Sequence, residues 1–314
     1  MGEGEKTGGA RERRRGGWRK VWLAGAILAA ALGGFMIVRG LPLPFRRPFL
    51  RPPAPAPEGT ADYQALRSEL QDFINTRGGA FGLYFQDLRT GAEFGINENV
   101  PMAAASSIKV PIVLYLYQLA AAGKLSLAEK MAYDPDYDAE AGSGVIYYTG
   151  RKGDKYTLRT LGNMAITVSD NAATNMLLRR LGRENIAGFM RSLGGQAVFA
   201  GRKISSARDL GLYLRATLDF ARRHPDPGNT FLDDLSNTIY NEGLPFLLPD
   251  EVRVAHKVGA LRTVATDVGI VYLDQKPAYI LSVLTEGVGE DEVPGFLAIA
   301  RISEMVYRTI TGGR

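Results

Sequence analysis

Three short stretches hold residues whose types and spacing suit catalysis. In Ser106–Ser107–Ile108–Lys109 a serine and a lysine stand three apart, so on a helix they share a face. A helix starting at Ser106 would place the hydroxyl at the positive end of the dipole, with Lys109 one turn inside. A lysine buried there can lose its proton and activate the serine. The same four residues equally describe a core helix capped by Ser106 or Ser107, with Lys109 snorkelling. Ser169–Asp170–Asn171 precedes the run Ala172 to Leu178, and all three are good helix caps. Chemically, Ser169 could relay a proton and the Asn171 amide could hold a substrate carbonyl. In His256–Lys257–Val258–Gly259–Ala260, closing a strand-like run, side chains alternate. If Lys257 faces a cleft, His256 faces away and is a poor general base. His224, in Arg222–Arg223–His224–Pro225, reads as surface.

These stretches need elements to hold them. Tyr63, Leu66, Leu70, Phe73 and Ile74 fall on one helical face. Phe81 to Leu88 reads as a strand, Arg89–Thr90–Gly91 as a turn and Ala92 to Ile96 as the returning strand. From about Ser106 to Leu212 the pattern is mostly helical, interrupted by a polar stretch from Asp134 to Lys155. Val252–Val258, Asp267–Leu273 and Ala278–Thr285 read as strands. The separators Gly259–Arg262 and Asp274–Pro277 are short, which predicts antiparallel pairing. A last helix runs from about Val293 to Ile310. This order predicts an α/β (α+β) domain with a five-stranded antiparallel sheet flanked by the terminal helices, plus an all-helical lobe. A site would lie between the two lobes.

Composition narrows the setting. The 314 residues are 46% hydrophobic and 23% charged, which supports a sizeable core. With no cysteine, the chain has no disulfide scaffold and no thiol nucleophile, and two histidines make a His-rich metal site improbable. No metal or other cofactor is expected. Residues 1–51 carry 11 basic and 3 acidic side chains, net +8; the remainder, with 27 and 30, is net −3. The basicity therefore reads as a membrane signal and not as a nucleic-acid footprint. Val21 to Val38 is an uncharged, mostly apolar run of 18 residues, about 27 Å as a helix against a hydrocarbon core of ~30 Å. Seven Lys/Arg precede it, from Lys6 to Lys20, favouring the N-terminus inside. The expected layout is a cytoplasmic tail (1–20), a transmembrane anchor (21–38), a Pro-rich linker (39–59) and an extracytoplasmic domain (60–314). A cleaved signal peptide is the alternative, but its apolar region is normally ~7–15 residues long.

Taken in order, the three motifs resemble those of the penicillin-recognising serine hydrolases, and among these the class A β-lactamase-like family. The flanks SSIKVPIVLYLY, YTLRTLGNMAITVSDNAATNMLL and VAHKVGALRTVATDVGIVY share the likeness, which covers roughly Asp62 to Thr311. The resemblance implies a β-lactamase/transpeptidase-like fold and an acyl-enzyme on Ser106. It implies Lys109 as base or proton shuttle, Ser169 as proton relay to the leaving nitrogen and Lys257 as positive potential beside Ser169. Asn171 would bind the substrate amide, and the backbone N–H groups of Ser106 and Ala260, beyond Gly259, would form the oxyanion hole. The substrate would be a β-lactam or a peptidoglycan-like small molecule, in a bacterial setting of antibiotic response or cell-wall chemistry, and the protein a monomer. A D,D-peptidase or esterase, or a slowly deacylating penicillin-binding sensor, is the alternative.

Two departures stand out. The family usually has a hydroxyl residue between Lys and Gly of the third motif; here it is Val258, and Arg262 is the nearby candidate for holding a substrate carboxylate. The family's deacylating glutamate lies in an Ω-shaped loop between the second and third motifs. Leu193 to Asp209 occupies that place, is short and contains no Glu.

Overall fold

The computed structural model describes residues 63–312. The expected tail, anchor and linker lie outside these residues, and among the described residues no helix is long and apolar enough to cross a membrane. Helix α1 (Gln64–Asn75) buries Leu66, Leu70 and Ile74, spaced four apart on one face. Strands β1 (Ala80–Asp87) and β2 (Glu93–Ile96) form the first hairpin. Strands β3 (Val254–Leu261), β4 (Val264–Leu273) and β5 (Lys276–Glu286) complete one antiparallel sheet in the order β2-β1-β5-β4-β3.

Two boundaries differ from the sequence reading. Gly259, Ala260 and Leu261 do not separate strands but stay in the β3–β4 ladder, opposite Thr266, Ala265 and Val264. The turn is thus only Arg262–Thr263. The β4–β5 turn is tight for a stated reason: Asp274 and Gln275 both take positive φ, 49° and 60°, the backbone twist that joins neighbouring strands in two residues.

The sheet is buried on both faces. One face of β1 sends Phe81, Leu83 and Phe85 toward α1 and the last helix, α8 (Val293–Thr311). The other sends Tyr84 toward the helical lobe. At the centre of that lobe lies α2 (Lys109–Ala121), mostly apolar and buried over its first nine residues apart from the partly buried Tyr115. Around it stand α3 (Leu158–Thr167), α4 (Asn171–Leu181), α5 (Arg183–Ser192), α6 (Ala207–Arg223) and α7 (Pro225–Ser236). The helical region therefore extends beyond Leu212, through two helices that meet at His224. Pro225 opens α7 at a position where its missing N–H costs nothing. Arg159 on α3 pairs bidentately with Asp234 on α7, at 2.8 and 2.9 Å.

Candidate active site

Ser106 lies not at the start of an α-helix but in a 3-10 turn, Ala105–Ile108, which runs directly into α2. The residue before it, Ala105, has φ of 46°, an uncommon backbone state for a residue with a Cβ. The two serines divide their work. Ser107 is buried; its Oγ donates to Lys257 O at 2.9 Å and lies 2.8 Å from Thr266 Oγ1, which donates to Ala104 O at 3.1 Å. Ser107 therefore fastens the turn to β3 and β4. Ser106 is half-buried, and its hydroxyl has no hydrogen-bond partner among the described residues. Gly259 is required at this contact: a Cβ there would stand 2.6 Å from Ser106 N and 2.9 Å from Ala104 O. The absent side chain lets β3 lie against the amide of Ser106.

One turn inside, Lys109 is only 1% exposed. Its Nζ donates to Ser169 O at 2.7 Å and to Asn171 Oδ1 at 2.8 Å, with Ser169 Oγ at 3.2 Å. The Asn171 amide is oriented by its own Nδ2, which donates to Ala141 O at 3.0 Å. Burial, and then the charges of Lys257 and Lys203, push the Lys109 amine well below its ordinary value; Glu140 and Asp170 oppose this only in part. A neutral amine has two N–H groups and one lone pair. The two short hydrogen bonds use the N–H groups, so the lone pair is left for a hydroxyl proton. The snorkelling alternative for Lys109 is thereby excluded.

The second motif is held as firmly. Ser169 has φ of 53°, and Asp170 caps α4 by accepting from Ala173 N at 2.8 Å. The other Asp170 oxygen accepts from Val145 N at 2.7 Å and Ile146 N at 2.9 Å, so one buried carboxylate ties the loop 141–146 to the head of α4. Capping and function thus coincide in this motif: Asp170 caps while its neighbours face the site.

Lys257 is fully buried on the cleft side of β3. Its Nζ donates to Val258 O at 2.8 Å and lies 5.9 Å from the centre of the Tyr240 ring. Burial lowers its amine to about 8, against the opposing pull of Asp267 and Glu242. Its charge reaches Lys109, but no hydrogen bond joins it to Ser169 among the described residues. His256 is turned away, as alternation predicts, with Nδ1 2.9 Å from the Asp267 carboxylate. Val258 shares that face and lies in the apolar core beneath α8, 4% exposed. Ala260 and Arg262 are exposed at the hairpin end of β3.

Beside Lys109 opens a cavity of about 280 Å³, between α2, α4, α5 and the segment 199–203. It occupies the side where the short stretch Leu193–Asp209 runs. The one carboxylate of that stretch, Asp209, is spoken for by Gln196 N at 2.9 Å and Ala197 N at 2.7 Å. Four site-wall residues escaped the sequence reading: Thr266, Tyr240, Lys203 and Glu140. Glu140 follows three aspartates in the polar stretch before the second motif, so neither periodicity nor spacing marks it.

The fold is that of the class A β-lactamase-like serine hydrolases. The chain belongs to the β-lactamase enzyme family, whose model matches residues 65–310. A β-lactamase of Serratia marcescens, SME-1, is 30% identical over 118 residues, which is 37% of this chain and 39% of that protein. The matched stretch thus spans well under two thirds of that curated relative. Among solved structures, PBP-A superposes with a TM-score of 0.73 at 26% identity, covering 79% of this chain and 97% of that one. A β-lactamase of Sphaerobacter thermophilus is similar in fold, with a TM-score of 0.70 at 23% identity over 80% and 98% of the two chains.

Proposed function

We propose that the chain is a membrane-anchored, extracytoplasmic serine hydrolase that forms an acyl-enzyme on Ser106 and acts on β-lactams or related amides and esters. The observation that carries this reading is the Lys109 amine, buried, depressed in basicity and aimed by Ser169 O and Asn171 Oδ1. Neutral Lys109 accepts the Ser106 proton as Oγ attacks the carbonyl carbon. The N–H groups of Ser106 and Ala260 stabilise the oxyanion. Ser169 passes a proton to the leaving nitrogen, Lys257 holds positive potential over the path, and Asn171 binds the acyl-side amide. Arg262, free of ion pairs among the described residues and at the hairpin tip, attracts a substrate carboxylate.

Intact-mass spectrometry after exposure to penicillin G tests the reading: the expected result is an adduct of whole-drug mass that a Ser106→Ala variant lacks. The same adduct on Ser106→Ala would sink it. For the anchor, the full-length protein should fractionate with membranes; a mature N-terminus beyond residue 40 would show cleavage instead. Size-exclusion chromatography of a chain starting near Thr60 should give a monomer.

A second reading, slow deacylation as in a D,D-peptidase or a penicillin-binding sensor, is favoured by the absence of Glu in Leu193–Asp209 and by the engagement of Asp209. The likeness to PBP-A supports it. An L158E mutant of that protein has been captured as an acyl-enzyme complex with penicillin G, and it matches this chain at a TM-score of 0.74 and 25% identity. Steady-state turnover of a chromogenic β-lactam separates a hydrolase from a single-turnover sensor.

A further inference from the structure

We propose that Glu140 is the carboxylate that activates water to release the acyl group from Ser106, from a position in the chain before the second motif. The proposal rests on the acyl-enzyme reading above. Seventeen residues line the cavity beside Lys109, and Glu140 is the only acid among them. Glu140 Oε2 accepts from Asn175 Nδ2 at 3.1 Å, and Asn171, the partner of the Lys109 amine, stands one turn earlier on the same face of α4. Four residues of helix rise about 6 Å. The Glu140 carboxylate and the Lys109–Asn171 corner thus stand about one helical turn apart on the wall of the same cavity, which has room for a water between them.

Two features prepare the carboxylate. Lys203 Nζ donates to Glu140 Oε1 at 2.5 Å, and the backbone of Lys203 is tied to the nucleophile's own loop, its carbonyl accepting from Ala104 N at 2.8 Å. The carboxylate is thus oriented from both the α4 side and the Ser106 side. Burial alone would raise the Glu140 carboxyl, but Lys203, Asn175 and Lys109 outweigh it and hold the group below the usual glutamate range. It is ionised at neutral pH, as a base must be, though it is a weak one.

The step balances. The water oxygen bonds to the acyl carbon as one of its protons passes to a Glu140 oxygen and the carbonyl π pair moves onto the oxyanion. On collapse that pair returns, the bond from carbon to Ser106 Oγ breaks, and the proton on Glu140 reaches Oγ by way of Lys109. The products are the free carboxylic acid and the serine hydroxyl.

The test uses the full chain, penicillin G and a chromogenic cephalosporin, with burst kinetics for acylation and intact-mass decay of the adduct, after free drug is removed, for deacylation. Glu140→Gln should keep the burst and slow adduct decay by ~10²-fold or more, the lower end of a general base's contribution. Lys203→Met should raise the carboxyl toward its ordinary value and so move the acid limb of deacylation to higher pH. That shift separates a base from a mere strap across the cavity. Adduct decay in Glu140→Gln at the rate of the unaltered protein would overturn the proposal alone and assign the water to Lys109. Equal loss of burst and decay in Glu140→Gln and Lys203→Met, with no pH shift, would overturn it in favour of a strap. Failure of both the unaltered protein and Glu140→Gln to form an adduct or to consume either drug would overturn the acyl-enzyme reading and this proposal with it.

Discussion

The two walls beside Lys109 are built differently. On one side, residues 141–146 and the head of α4 are bound through a single buried carboxylate, Asp170, with three backbone N–H groups on its two oxygens. Ser169 and Asn171, the partners of the Lys109 amine, hang on that frame. On the other side, the segment 193–205 is held by Asp209, a two-residue ladder of Ile204–Ser205 with Met102–Ala103, and the Lys203 carbonyl, and it leaves a cavity open. The difference teaches where the held backbone lies: three N–H groups converge on Asp170 beside the Lys109 partners, whereas the facing segment is held at fewer points and borders an open cavity.

Substitutions can break that contrast, and the largest effect is expected at its centre. Lys109→Met should lower acylation of a β-lactam by ~10²–10⁴-fold, read as the burst rate, while leaving the fold intact because a buried amine is exchanged for an apolar chain of similar length. Retention of the burst would move the base elsewhere. Next comes the firm wall. Asp170→Ala leaves the buried N–H groups of Ile146 and Ala173 unpaired, at ~1–3 kcal/mol each, and exposes that of Val145 to water, so denaturant unfolding should show a loss of about 2–6 kcal/mol. A loss below 1 kcal/mol would mean the frame is not what holds this wall.

Gly259→Ala should then cut acylation by about 10²-fold, since its Cβ would displace the Ser106 amide and small misplacements of reacting groups carry that scale of cost; a melting curve near that of the parent would show that the site and not the fold has suffered. A subtler effect concerns pH. Lys257, lowered to about 8, is cationic below that value and neutral above it. Acylation that depends on its charge should fall as pH rises through about 8. Lys257→Arg keeps the charge to far higher pH, so the alkaline limb should vanish from the pH profile of the burst rate. The smallest effect belongs to the loose wall: Phe199→Ala, at the cavity rim and 43% exposed, should change stability by no more than ~0.5 kcal/mol in the same unfolding assay. A loss comparable to that of Asp170→Ala would erase the distinction between the walls.

Much of this was legible in the chain. The alternation around Lys257 correctly sent His256 to the far face, and the apolar repeat of Leu66, Leu70 and Ile74 correctly marked a buried helix face. The hairpin end of β3 was misjudged because glycine and alanine look like punctuation, whereas Gly259 is in the ladder to let Ser106 approach. Spacing to Lys109 favours Ser106 over Ser107 but does not say what Ser107 does. The partners of the Ser107 hydroxyl on β3 and β4, 150 and 159 residues away in sequence, reveal it as the fastening serine.

By itself the sequence determined the order of elements, the antiparallel pairing of the last three strands, and the three motifs with their spacing, because these rest on local periodicity, short connections and residue type. Tertiary structure decided what those residues become. Lys109 is an ordinary lysine until burial and the charges of Lys257 and Lys203 depress its basicity, and these come from β3 and from a segment almost a hundred residues downstream. Glu140 is an ordinary surface-type acid until the fold lays it across α4 beside a cavity. Desolvation and through-space charge act between atoms that are near in space, and chain order carries no direct record of that nearness.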